Sequence, residues 1–151
     1  FKPTPGNFRE KYHLETAKIV LGVASVWEER KGLKDFLALA GLLPPEYKIV
    51  LIGLNEGQLA ALPEKILGLP RTDNVRQLVE AYTAADVFVC PSTEETFGMT
   101  VLEACRCGTR TVVYQDTACE EVARAYGGVA VPRGPEHLRS AILELTGGKT
   151  L

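Results

Sequence analysis

The sequence predicts a domain of the α/β class, built on a parallel sheet of about six strands with helices on both faces. Six short apolar runs alternate with amphipathic stretches along the chain. Most of these runs are continuous rather than alternating, and several are rich in Val and Ile, as in strands that helices cover on both faces. The 151 residues give room for one self-supporting core and not for two.

The individual elements follow from these patterns. The apolar runs that we assign to strands are residues 19–24, 47–52, 65–69, 87–90, 111–114 and 129–131. Apolar side chains recur at intervals of three and four in the segments that we assign to helices, which are residues 33–43, 75–82, 101–105 and 136–145. Ligands of such sheets bind at the carboxyl ends of the strands, so the residues after each strand are the candidates for a functional site.

Residues 1–16 are predicted to form an interdomain linker or N-terminal extension, and residues 17–151 to form the domain. The opening Pro3, Pro5 and Gly6 cannot sustain a helix or a central strand, although residues 7–15 have room for a short helix. The chain begins with a phenylalanine and contains a single, internal methionine, so we expect it to be a piece of a longer protein.

Composition argues against two classes of partner. Seventeen basic side chains stand against nineteen acidic ones, which leaves a formal charge of −2 and no excess positive charge to neutralise a nucleic acid. No apolar run is long enough to span a membrane, and no signal peptide opens the chain. We therefore expect a cytoplasmic protein without a nucleic-acid partner and without a membrane span in this chain.

The cysteines do not form a recognisable metal motif. Cys90, Cys105, Cys107 and Cys119 include no C-x-x-C pair, and the chain has only two histidines. Because Cys90 lies in an apolar, strand-like run, we expect reduced thiols with a structural role and no metal site.

Two cations follow the first predicted strand. Arg30 and Lys31 stand directly before Gly32, where a helix begins. Since a helix start already carries partial positive charge, cations there fit a bound anion such as phosphate. The alternative is a solvated loop in which the two glutamates before Arg30 balance the charge. Trp27 in the same loop is expected to pack rather than to bind a ligand.

The segment after the fourth predicted strand, residues 91–104, is the most informative part of the sequence. Gly98 allows a ligand to approach the main chain closely, and the helix that follows offers N–H groups to a phosphate. Glu95 precedes Gly98 and Glu103 follows it, and carboxylates accept hydrogen bonds from sugar hydroxyls. A nucleotide sugar fits both features. The alternative is that Glu95 only favours the helix dipole and that Glu103 is a solvated helix residue.

These segments resemble a known family. The spacing of Glu95 and Glu103 is that of the E-x7-E motif of retaining glycosyltransferases of family 4, which have the GT-B architecture. The resemblance extends from about Lys18 to Leu145 and includes the segment 85–113 and the first loop. It implies a Rossmann-like sheet that forms one half of a GT-B fold, namely the C-terminal domain that binds the nucleotide-sugar donor.

The resemblance also implies roles for individual residues. Catalytic roles at the donor diphosphate and sugar fall on Lys31, Arg30 and Glu95, and donor binding falls on Phe97, Gly98, Met99, Thr100, Glu103, Arg71 and Thr72. Within this set, Glu103 matches the residue that holds the ribose hydroxyls, whereas Arg71 and Thr72 fall where the base is bound.

Two positions depart from the pattern of the family. Its usual arginine follows a glycine upstream of the lysine, but here Val23 follows Gly22, so Arg30 is expected to substitute from the other side. Many members carry a glycine pair before a Pro-Glu where this chain has residues 117–121, which we interpret as a loop.

The implied function is transfer of a sugar from a UDP or GDP donor to a glycan or lipid-linked acceptor, with retention at the anomeric carbon. No cofactor and no metal ion are expected, because Lys31 and the helix start at Gly98 would stabilise the leaving diphosphate. The acceptor would bind to an N-terminal domain outside this chain, so the chain alone is expected to bind donor weakly and to transfer nothing.

Three alternatives remain open from the sequence. A sugar-nucleotide epimerase or a phosphorylase can use the same architecture, and a non-catalytic α/β nucleotide-binding regulator is a different class. A receiver-like regulator needs an aspartate after its third strand and a lysine after its fifth, whereas here Asp86 precedes its strand and Asp116 stands alone. A dinucleotide-binding domain is excluded, because no G-x-G-x-x-G follows the first strand.

Overall fold

The computed structural model describes residues 1–28, 31–93 and 98–147. The strands of this part are β1 (Lys18–Val23), β2 (Tyr47–Ile52), β3 (Ile66–Leu69), β4 (Val87–Cys90), β5 (Thr111–Tyr114) and β6 (Val129–Val131). The helices are α1 (Phe8–Lys11), α2 (Leu33–Ala40), α3 (Glu56–Ala60), α4 (Val75–Ala84), α5 (Met99–Arg106), α6 (Ala118–Ala125) and α7 (Pro135–Leu145). In these ranges, no helix combines the length and the apolar character needed to cross a bilayer.

The strands form one parallel sheet in the order β3-β2-β1-β4-β5-β6. At its centre, Val20 of β1 pairs with Ile49 of β2 and with Val87 of β4. The chain changes direction across the sheet between β1 and β4, and ligands of open α/β sheets bind at this switch point. The predicted fold class, a six-stranded Rossmann-like sheet, is confirmed.

The sheet is buried on both faces, which explains the continuous apolar runs. Successive strand residues point to opposite faces. Val20, Ile49 and Leu51 pack in a cluster with α2, α3 and α7. Leu21 and Val50 point the other way, into a cluster with α1, α4, α5 and α6. Apolar residues are therefore needed at nearly every strand position, and no polar alternation appears in the sequence.

Part of the segment 1–16 packs on the sheet. Phe8 and Leu14 are buried in the same cluster as α4 and α5. The guanidinium of Arg9 donates hydrogen bonds to three carbonyl oxygens, one of them at the C-terminal end of α4. It also pairs with the carboxylate of Asp86 at 2.9 Å. The role of this segment between domains stays a prediction, but its second half is fastened to the fold.

Two helices were not predicted from the sequence. One is α3, and the other is α6, which occupies the residues interpreted as a loop. The interpretation of residues 117–121 as a loop is wrong, because Thr117 is the N-cap of a helix. Cys119 and Ala123, one turn apart on α6, are fully buried. Burial of this face against the sheet stabilises the helix where the family resemblance suggested glycines.

Candidate functional site

A cleft of about 370 Å³ opens at the carboxyl edge of the sheet, between the ends of β1 and β4. The segment after β1 forms one wall, and the end of β4 with the first turn of α5 forms the other. Its lining includes Ser25, Glu28 and Lys31 on the first wall and Pro91, Met99 and Thr100 on the second. The structure thus brings Lys31, Met99 and Thr100 together, as the sequence predicts.

Gly32 joins the two walls of the cleft. It is the N-cap of α2, with a φ of 87° in the left-handed region. A Cβ atom added to it would lie 2.6 Å from the carbonyl oxygen of Pro91 and 2.5 Å from the Cγ of that ring. Glycine is therefore required both by the backbone angle and by the space. This close approach holds the neighbouring Lys31 beside the end of β4.

The helices that start at the cleft lack side-chain caps. Gly98, the N-cap of α5, has a φ of 63°, and like Gly32 it makes no side-chain capping bond. By contrast, Asn55 and Asn74 cap α3 and α4 by accepting backbone N–H bonds at 2.8 and 3.2 Å. The first N–H groups of α2 and α5 therefore remain available to a ligand. Together with the helix dipole they form a site suited to an anion.

Glu103 lies one turn along α5 from the residues that line the cleft. It is half-buried, and its Oε1 accepts a hydrogen bond of 2.9 Å from the hydroxyl of Tyr82 on α4. Among the described residues, no cation forms an ion pair with it. A carboxylate held by one neutral donor keeps lone pairs for further hydroxyl groups.

Tyr82 is a candidate site residue that the sequence analysis missed. Its side chain is fully buried, and burial, followed by the charge of Glu103, raises the pKa of Tyr82 above its ordinary value. The hydroxyl thus stays protonated and acts as a donor that orients the carboxylate. The spacing of apolar residues in 75–82 indicated only a core position. Because a buried tyrosine hydroxyl usually has a hydrogen-bond partner, a tyrosine at a predicted core position was the one indication of this role in the sequence.

Arg71 and Thr72 lie elsewhere on the same edge of the sheet. They line a second cavity, of about 220 Å³, at the end of β3. The hydroxyl of Thr72 donates to Gln77 at 2.7 Å, and the exposed Arg71 lies 3.4 Å from Asp73. Three strand spacings, roughly 14 Å, separate β3 from β4. The structure therefore does not place these two residues in the cleft with Lys31, and their contact with a base stays a prediction.

Three of the predicted site residues, Arg30, Glu95 and Phe97, lie outside the described residues. Their roles at the diphosphate and the sugar stay predictions. The same holds for the E-x7-E motif as a functional unit, since only its second glutamate is placed.

Trp27 packs in the core, as predicted. It is only 6% exposed, and its Nε1 donates to the carbonyl oxygen of Ile52 at 3.0 Å. Its ring meets Phe36 edge-on, with the centroids 5.5 Å apart. These contacts anchor the segment that leads to Lys31.

The described residues contain no group of three or more His, Cys, Asp or Glu side chains arranged to hold a metal ion. Cys90, Cys107 and Cys119 are buried and Cys105 is half-buried, and all four are thiols rather than disulfides, as predicted.

Sequence comparison identifies relatives along most of the chain. Residues 6–149 match the family described as glycosyl transferases group 1. The alpha-galactosylglucosyldiacylglycerol synthase of Streptococcus pneumoniae is 32% identical over 136 residues, which cover 83% of this chain and 36% of that protein. A GDP-mannose-dependent alpha-(1-6)-phosphatidylinositol dimannoside mannosyltransferase of Mycobacterium tuberculosis is 28% identical over 140 residues, covering 89% of this chain and 37% of the relative. The chain spans little more than a third of the length of these relatives.

Solved structures share the fold. Sucrose-phosphate synthase from Thermosynechococcus elongatus superposes with a TM-score of 0.81 at 22% identity, over 97% of this chain and 40% of that one. Anabaena HepE in complex with UDP and glucose superposes with a TM-score of 0.76 at 19% identity, over 94% of this chain and 43% of that one. The C-terminal domain of a glycosyl transferase group 1 protein (LpcC) from Francisella tularensis superposes with a TM-score of 0.74 at 20% identity, over 97% of this chain and 85% of that one.

The family match favours a glycosyltransferase domain over the epimerase, phosphorylase and regulator alternatives. The family match extends over nearly the whole chain, and the sheet order and the cleft at its switch point agree with it. The chain therefore belongs to the glycosyl transferases group 1 family, as a glycosyltransferase domain with the fold of one half of the GT-B architecture.

Proposed function

We propose that this chain is the donor-binding domain of a retaining glycosyltransferase, which transfers a sugar from a nucleotide sugar to a glycan or a lipid-linked saccharide. The observation that carries the proposal is that Lys31 and the uncapped start of α5 line one cleft. A cation beside free helix N–H groups suits the diphosphate of such a donor.

The difficult step is the departure of the nucleoside diphosphate, on which negative charge grows as the glycosidic bond breaks. Lys31 and the N–H groups that follow Gly98 would stabilise this charge without rearrangement, because the fold already holds them in place. Removal of one such preorganised donor costs enzymes about 2.7–4 kcal/mol of transition-state stabilisation. We assign Arg30 to the same diphosphate, and Glu95 and Phe97 to the donor sugar, on the family resemblance.

Glu103 is proposed to accept hydrogen bonds from the ribose hydroxyls. Its position on α5, one turn from the cleft-lining residues, and its hydrogen bond from Tyr82 support this role. Tyr82 is a positioning residue, since it acts through the carboxylate and not on the ligand. Glu95 and Glu103 would then be the two ends of an E-x7-E motif, with Glu95 at the donor sugar and Glu103 at the ribose, on opposite sides of the diphosphate.

The nucleotide is proposed to be UDP or GDP. HepE was solved with UDP and glucose, and the mycobacterial relative is named as GDP-mannose-dependent. Arg71 and Thr72, at the second cavity, are assigned to the base.

Two further parts of the reaction are proposals about the complete protein. The acceptor would bind to an N-terminal domain that precedes this chain, a view supported by the match to a separately solved C-terminal domain. Lys31 and the N–H groups that follow Gly98 would take the place of a metal ion. The four thiols suit a cytoplasmic, reducing environment.

Calorimetric titration of UDP and GDP into the chain tests the proposal. We expect binding of one nucleotide, undiminished by a metal chelator. Lys31→Ala and Glu103→Ala should each weaken it, since each removes a contact to the ligand. Tyr82→Phe should weaken it less than Glu103→Ala, because the carboxylate remains but loses its orientation.

Matched controls are Lys34→Ala, an exposed lysine on α2, and Glu121→Ala, an exposed glutamate on α6. Both should leave affinity unchanged. Binding of neither nucleotide, or affinities that survive both Lys31→Ala and Glu103→Ala, would contradict the assignment.

A further inference from the structure

Cys90 and Cys119 meet behind the cleft. Cys90 is the last residue of β4 and lines the cleft, whereas Cys119 lies in the first turn of α6. Their sulfur atoms are 3.7 Å apart, and no disulfide joins them. The two thiols therefore lie side by side on two elements that are distant in sequence.

Cys119 also supports the start of α5. A Cβ atom on Gly98 would lie 3.4 Å from the Cα and 3.6 Å from the sulfur of Cys119, so Cys119 borders the space that a side chain at Gly98 would fill. The two helices that begin at these residues, α5 and α6, also pack against each other. A movement of Cys119 is thereby transmitted to the N-cap whose N–H groups face the cleft.

The two thiols differ in access from the cleft. Cys90 is 9% exposed and borders the open space, whereas Cys119 is fully buried behind it. An oxidant that enters the cleft meets Cys90 first and finds Cys119 within reach as the second thiol.

We propose that Cys90 and Cys119 are an oxidation site, and that a reversible disulfide between them weakens nucleoside diphosphate binding in the cleft. With hydrogen peroxide as oxidant, the Cys90 thiolate attacks one peroxide oxygen and the O–O bond breaks. Cys90 becomes a sulfenic acid, and the departing hydroxide takes up the thiol proton to form water. The Cys119 sulfur then attacks the Cys90 sulfur and the S–O bond breaks. The hydroxyl leaves as a second water with the thiol proton of Cys119, and the S–S bond forms. Two electrons pass from the thiols to the peroxide, and a dithiol reductant reverses the change.

The effect on the cleft follows from distance. A disulfide bond is about 2.05 Å long, so the sulfur atoms must approach by roughly 1.7 Å from their separation in the reduced chain. Because Cys119 lies beside Gly98 and α6 packs against α5, this approach shifts the first N–H groups of α5 relative to Lys31. The effect on affinity rests on the proposed function, whereas formation of the disulfide does not.

The test begins with hydrogen peroxide and the purified chain. After digestion without reductant, mass spectrometry should find the Cys90 and Cys119 peptides joined, with the loss of two hydrogens, and dithiothreitol should release them. Cys90→Ser and Cys119→Ser should each abolish the joined peptide, and Cys105→Ser should not. Titration of UDP and GDP should show about tenfold weaker binding to the oxidised chain than to the reduced chain.

Absence of the joined peptide overturns the proposal. An oxidised chain that binds nucleotide as tightly as the reduced chain also overturns it. The same holds if peroxide weakens nucleotide binding by the Cys119→Ser variant as much as it weakens binding by the unaltered chain. A reduced chain that binds neither nucleotide contradicts the proposed function instead, and the mass measurement still decides whether the disulfide forms.

Discussion

The two glycines at the cleft are held by different physical constraints. Gly32 combines a φ of 87° with a contact to Pro91 that leaves no room for a Cβ atom. Gly98 has a φ of 63°, but the atoms around its missing side chain are at ordinary distances of 3.4 Å or more. Gly98→Ala should therefore cost about 1–2 kcal/mol through the left-handed backbone alone. Gly32→Ala should cost more, because the main chain at Pro91 must also move.

Urea unfolding of both variants measures the difference. Gly41→Ala is the control, since Gly41 has a φ of −86° and its nearest neighbour would lie 3.6 Å from a Cβ atom. That change should leave stability the same or raise it by up to about 1 kcal/mol. Equal losses for Gly32→Ala and Gly98→Ala would show that the contact with Pro91 does not hold the two walls together.

Among the elements, α1 is attached by its buried Phe8 and by the hydrogen bonds of Arg9. Arg9 donates to three carbonyl oxygens and to Asp86, whose carboxylate also accepts the backbone N–H of Ile19 at 2.7 Å. Arg9→Ala leaves these acceptors without their charged donor and should destabilise the chain by about 1.5–3 kcal/mol in urea unfolding. Arg71→Ala, at an exposed ion pair, should change stability by less than about 0.5 kcal/mol. An Arg9→Ala variant with unchanged stability would show that these hydrogen bonds do not hold the segment to the fold.

The strands could be predicted because a sheet that is buried on both faces requires continuous apolar runs in the sequence. The missed helices also left signals. Asn55 precedes Gln58 by three residues, and Thr117 precedes Glu120 by three, which is the spacing of a capping box. In α3 the reciprocal bonds of that box form. The resemblance to a family that carries glycines before α6 favoured a loop there, and the local spacing was the better guide.

For the molecule as a whole, the sequence predicts which segments meet but not how they touch. The meeting of Lys31 with α5 follows from strand order, since parallel strands end at one edge of the sheet. The contact of Gly32 with Pro91 and the bond between Tyr82 and Glu103 depend on how far and at what angle each helix packs. Local patterns do not encode these quantities, so the details of the site appear only in the assembled fold.

Four neutral groups give the whole molecule a dependence on alkaline pH. Burial raises the pKa of Tyr82, Tyr114, Cys105 and Cys107. The folded chain therefore holds these protons more tightly than the unfolded chain, in which cysteine and tyrosine titrate at about 8.5 and 10. Their contribution to stability is complete below those values and is lost progressively as pH rises above them towards the raised pKa of each group in the folded chain. Burial lowers the pKa of Lys65, which acts in the opposite direction, and we expect the four groups to outweigh it.

The urea midpoint should thus be steady near neutral pH and fall progressively above about pH 9. A variant at Tyr114 separates the contribution of tyrosine to this decline. The hydroxyl of Tyr114 donates to Asp35 at 2.5 Å, so its ionisation would place a second anion beside that carboxylate. Tyr114→Phe should lower stability at neutral pH, where the hydrogen bond is lost, yet make the decline above about pH 10 shallower, since the group that ionises is gone. Tyr126→Phe, at an exposed ring, should alter neither the midpoint nor the slope. A wild-type midpoint that stayed level through this range would show that unfolding does not release these buried groups to ionise, and that the core around α4 and β5 stays closed in the unfolded ensemble.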